Sequence, residues 1–144
     1  MELTLGLLAD FANKSADGKL NILGVFNRIW SQKYPAVHAE MKLVLRFELH
    51  RAEAGQTKKF QIQLRNDQGR RLMEVAGEMN IPEPQLSQFP PGEMIQIDQI
   101  LGLNRFPIPA PGRYEFVVLI NGDAKGSVAF TAAVRQPATP RAGG

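Results

Sequence analysis

The chain has 144 residues, 44% hydrophobic and 22% charged, the make-up of one ordinary globular domain with a single core. It has no Cys and only 2 His, which excludes disulfide scaffolds, thiolate metal centres and thiol catalysis and leaves little for a transition-metal site. The formal net charge is +3, but the 17 Lys and Arg are scattered along the chain, so dedicated nucleic-acid binding is not expected.

Residues 2 to 13 and 19 to 32 read as two long strands joined at Asp17-Gly18, a strong hairpin signal between apolar runs. Leu3, Leu5, Leu7 and Phe11 share one face of the first, with Leu8 and Ala12 on the other. In its partner Leu20, Ile22, Phe26 and Trp30 oppose Leu23, Val25 and Ile29. Both faces of this hairpin are apolar, and a two-layer fold covers only one. Centring the turn on Asp17-Gly18 sets Asp10 opposite Val25, which brings it within reach of an ion pair with Arg28.

Residues 41 to 50 alternate cleanly, with Leu43, Leu45, Phe47 and Leu49 inward and Lys42, Arg46, Glu48 and His50 outward. After a loop at Ala54 and Gly55, Phe60, Ile62 and Leu64 alternate with Lys59, Gln61, Gln63 and Arg65, and Asn66 to Gly69 turn the chain. The run from Arg70 to Ile81 keeps Met73, Val75, Met79 and Ile81 on one face, with a bulge expected at Gly77. Pro82 to Gly92 is too rich in proline for a helix or central strand. It reads as an ordered loop whose Leu86 and Phe89 plug one end of the core. A strand over 93 to 105 carries Ile95, Ile97, Leu101 and Leu103, and Pro107, Pro109, Pro111 and Gly112 form a stiff connection. The last hairpin sends out Tyr114, Phe116, Val118 and Ile120, turns at Asn121 to Asp123, and returns through Val128, Phe130, Ala132 and Val134.

About eight strands without a helical period predict an all-β protein: a two-sheet antiparallel β-sandwich, immunoglobulin-like or C2-like, over residues 1–135, with a Pro- and Gly-containing tail at 136–144. The start Pro111-Gly112-Arg113-Tyr114 fits a late strand of such sandwiches, where the tyrosine ring packs and its hydroxyl meets the backbone. The chain resembles a family of small stand-alone bacterial β-sandwich proteins of unknown function. The resemblance rests on LLADFANKSADGKLNILGVFNRIW (Leu7 to Trp30), LVLRFE (Leu43 to Glu48) and PGRYEFVVLINGD (Pro111 to Asp123), and it spans roughly residues 2 to 134. It implies a fold and no activity, cofactor or site residue.

Asp17, Asp67 and Asp123 sit singly in turns, where Asx side chains stabilise the turn, and do not make a calcium site. His38 and His50 lack partners at ligand spacing and read as surface residues. No nucleophile elbow, phosphate loop or carboxylate pair is present, so no catalytic residue, metal, cofactor or small-molecule substrate is expected and the chain reads as a non-enzyme. The expected function is a protein-interaction or self-assembling module, its partner another protein or a second copy. Asp10, Leu23, Val25, Asn27, Arg28, Ile29 and Trp30 form the candidate surface, because Trp and Arg lead interface hot spots. The alternative is a weak binder of nucleic acid or another anionic polymer, through Lys42, Arg46, Lys59, Arg65 and Arg70 on adjacent strands. The opening Met1 to Leu8 has no basic region and no run is long enough to span a membrane, so the expected location is the cytoplasm.

Overall fold

A computed structural model describes residues 1–83, 90 and 92–136. The expected plug at Leu86 and Phe89 and all but the first residue of the expected tail lie outside them. Among the described residues no helix is long and apolar enough to cross a membrane.

Among the described residues nine strands form two sheets: β1 (Glu2–Lys14), β2 (Leu20–Phe26), β3 (Arg28–Ser31), β4 (Ala36–Leu49), β5 (Thr57–Asn66), β6 (Arg71–Asn80), β7 (Ile95–Ile108), β8 (Gly112–Ile120) and β9 (Asp123–Val134). One sheet runs β2-β1-β4-β7 and the other β3-β9-β8-β5-β6. Their inner faces share a core. Leu43, Leu45, Phe47 and Leu49 of β4 meet Phe60, Ile62 and Leu64 of β5 and Phe116, Val118 and Phe130 of the last hairpin, as period-2 burial requires. Tyr114 stacks on Phe130 at 5.3 Å between ring centroids, and its hydroxyl donates to the Ala110 carbonyl (2.6 Å).

Several expectations are corrected. The run 19 to 32 is two strands in different sheets, parted at Asn27, and β3 lies parallel to β9, so the arrangement is not wholly antiparallel. β7 continues through Pro107 to Ile108; it is an outer strand, where a proline removes no ladder bond that a neighbour needs. Gly77 is in register with Phe60, and the irregularity in that pair lies at Leu64/Arg65. An irregularity between Leu3 and Leu5 puts Leu8, rather than Leu7, on the core face.

The first sheet is curled. Ala9 pairs with Lys42, so a flat β1 would carry Lys14 about 30 Å from Asp98, which pairs with Arg46. Instead the Lys14 Nζ lies 3.7 Å from the Asp98 carboxylate. The tip half of the β1–β2 hairpin therefore folds back over the outer face of β4 and β7. Ala9, Ala12 and Val44 are buried yet stand apart from the main core, a second thin apolar layer. The curl thus buries Ala9 and Ala12, while Phe11, Leu23 and Val25 of the hairpin stay exposed.

Candidate interaction groove

The turn sets where the hairpin residues fall. Ser15 N–H donates to the Lys19 carbonyl and Gly18 N–H to the Ser15 carbonyl, giving a five-residue loop centred on Asp17. The register is Ala9↔Val25, so Asp10 faces Gly24 and not Val25. A one-residue slip of this kind exchanges faces. Gly24 has φ +74°, and a Cβ there would lie 2.5 Å from the Asp10 carboxylate, so only glycine suits the position. The expected Asp10–Arg28 ion pair is not formed: among the described residues Asp10 lies within 4.0 Å of no cationic group.

Beyond Asn27, whose carbonyl accepts from Thr131 N–H (2.9 Å), the chain enters the second sheet. The parallel ladder sets Arg28 against Thr131, Ile29 against Ala132 and Trp30 against Ala133, and Arg135 N–H closes it on the Ser31 carbonyl (3.0 Å). Alternation then sends Ile29 into the core at 6% exposure and Arg28 and Trp30 outward. Ile29 was expected on the surface; the sheet change at Asn27 reverses its face. On the neighbouring strand Ala133 leaves room for the indole, and Arg135, two residues on, shares its face. The guanidinium carbons of Arg28 and Arg135 each lie 5.4 Å from the centre of the Trp30 ring, cation–π distance.

Asp10, Gly24, Val25, Phe26, Arg28, Ile29, Trp30, His38 and Arg135 line one groove of about 360 Å³. His38, expected at the surface, is half-buried, its ring 5.8 Å from that of Phe26, and its buried Nε2 has no hydrogen-bond partner among the described residues. Of the seven sequence-predicted residues, five line this groove. Asn27 lies in the adjoining hollow between β1 and β9, and Leu23 stands outside beside Phe11, its cross-strand neighbour. His38 and Arg135 were missed: they come from β4 and the end of β9, and no local pattern ties either to Trp30. His50 is a cap, its Nδ1 accepting from Ala52 N–H (3.1 Å) in the short turn after β4.

The five basic residues of the alternative surface do not make one face. Lys42 and Arg46 lie on β4 in the first sheet, while Lys59 and Arg65 lie on β5 in the second and Arg70 immediately precedes β6. Lys42 is also paired with Glu40 (3.4 Å) and Arg46 with Asp98 (2.7 Å).

A family model described as a family of unknown function, DUF6941, matches residues 4–133. The chain belongs to DUF6941. This agrees with the unknown-function family expected from the sequence, and the match takes in every element from β1 to nearly the end of β9. No curated protein matches this DUF6941 chain. Among solved structures it is similar to a Pseudomonas fluorescens alkylpurine DNA glycosylase, AlkC, bound to DNA containing an abasic site analog, at 17% identity and a TM-score of 0.45 over 74% of this chain. The chain spans 27% of that protein's length.

Proposed function

We propose that the chain is a non-enzymatic, cytoplasmic protein-interaction module whose contact surface is the open edge of β2 together with the Trp30 groove. One observation carries this reading. β2 is an outer strand of seven residues, none charged, with Leu23 70% and Val25 61% exposed. The other outer strands carry the usual guards against edge pairing: Arg71, Glu74 and Glu78 on β6, Asp98, Arg105 and Pro107 on β7, and a length of only four residues with Arg28 on β3. An unguarded apolar edge beside a Trp and two Arg has the composition of a binding surface. We also read the fold as a variant of the immunoglobulin-like or C2-like sandwich. The Tyr114 hydroxyl turned back to the backbone supports this, as in the tyrosine corner of those domains.

The test compares the wild-type chain with a Leu23→Ser, Val25→Ser variant by light scattering and by capture from a cell lysate. Both side chains are exposed, so the variant is expected to keep its thermal midpoint while losing the assembly or the captured protein. Equal behaviour of the two proteins in both assays would overturn the reading.

A further inference from the structure

We infer that the segment received by β2 is an acidic, strand-forming peptide of a partner protein, with a carboxylate seated between Arg28 and Arg135. The inference rests on the reading of β2 as a binding edge and adds the chemistry of what binds there. Among the described residues neither Arg28 nor Arg135 makes an ion pair, and the guanidinium carbon of each lies 5.4 Å from the centre of the indole. A guanidinium without a carboxylate partner has its planar N–H fork available for one, and that fork matches a carboxylate in two hydrogen bonds. The buried His38 Nε2, on a residue lining the same groove, has no hydrogen-bond partner among the described residues. Such a group is costly to leave unmatched, and a ligand oxygen meets the need when the nitrogen carries its proton.

Charge selects the ligand class. Among the described residues Asp10 is the one acid lining the groove, set over Gly24 and apart from Arg28. Two guanidiniums and one carboxylate leave a single excess positive charge, which one ligand carboxylate neutralises, whereas a phosphate dianion would leave the groove negative. Geometry selects a strand. Gly24, Val25 and Phe26 of the open edge line the same groove, so a peptide pairing along β2 turns every second side chain to one face, and the one at the Phe26 end comes nearest the Arg pair.

Trp30 is the only Trp in the chain, so its fluorescence reports the groove directly. The probe is the N-acetylated, C-amidated peptide Thr-Glu-Val-Glu-Thr-Glu, compared with the same peptide carrying Gln for Glu and with inorganic phosphate. The expected result is a saturable change in Trp30 emission, with the Glu peptide binding at least tenfold tighter than the Gln peptide. The Arg28→Gln, Arg135→Gln variant should erase that difference without lowering the thermal midpoint. The inference is overturned by equal binding of the two peptides, by phosphate alone producing the response, or by no response to any probe. Hydrogen exchange of the β2 amides separates this from the underlying reading. Protection by both peptides alike keeps the edge and removes the carboxylate site, while Glu-peptide binding that leaves β2 unprotected keeps the carboxylate site and removes the edge.

Discussion

Ile29 and Trp30 are chain neighbours with opposite environments, and substitution separates them. Ile29→Ala opens a hole between the sheets and is expected to lower unfolding free energy by about 3 kcal/mol in urea titration. Val25→Ser, at an exposed edge, should change it by less than about 0.5 kcal/mol. Glu53 gives a pH-dependent case. Burial by itself raises its carboxyl, but hydrogen bonds from Lys58 (2.6 Å), the Met1 amine and the His50 N–H outweigh burial and hold it at about 2, below the ordinary 4.5. Because the folded value is the lower one, its stabilising contribution is complete above pH 4.5 and fades as pH falls toward about 2. Glu53→Gln leaves the buried Lys58 without its partner and should cost about 2 kcal/mol at pH 7. In urea titrations across pH, the gap from wild type should narrow below pH 4.5; a gap that stays constant would show that the pair does not act through charge.

Among the elements, the β1–β2 hairpin departs furthest from simple alternation. Its curl is held by Asp98, whose side chain is only 5% exposed and receives Arg46 Nε at 2.7 Å and Lys14 Nζ at 3.7 Å. The Arg46 hydrogen bond is the main reason the Asp98 carboxyl sits below its ordinary value. Asp98→Asn should cost about 2 kcal/mol, since a partly buried guanidinium loses its counter-charge. Hydrogen exchange should then speed up in the tip half of the hairpin more than in β8 or β9. The alternation of Leu43 to Leu49 and of Tyr114 to Ile120 was legible because those strands lie in the middle of their sheets with one face on the core. The hairpin was less so. A five-residue loop shifted its register by one, and Gly24 and Asn27 interrupt the alternation where the chain bends and changes sheet.

For the whole molecule, the layout predicts an order of local stability. Amides of β4 and β8, flanked by strands on both sides and packed on the core, should exchange slowest, and those of β2 and β6 fastest among the strands. Slow exchange in β2 without a partner would mean that its edge is already covered. The sequence by itself determined the class of fold, because period-2 alternation between turn residues is a local property set by where side chains point along an extended chain. It also determined that Val25, Arg28 and Trp30 belong near one another, since they are close in the chain. Only the tertiary structure decided which of their neighbours face solvent. Asn27 carries the chain from one sheet to the other, and a change of sheet reverses inside and outside. Only the tertiary structure brought His38 and Arg135 to the same groove, because the pairing of β3 with β9 and the curl of the first sheet join residues about a hundred positions apart, beyond the reach of any local pattern.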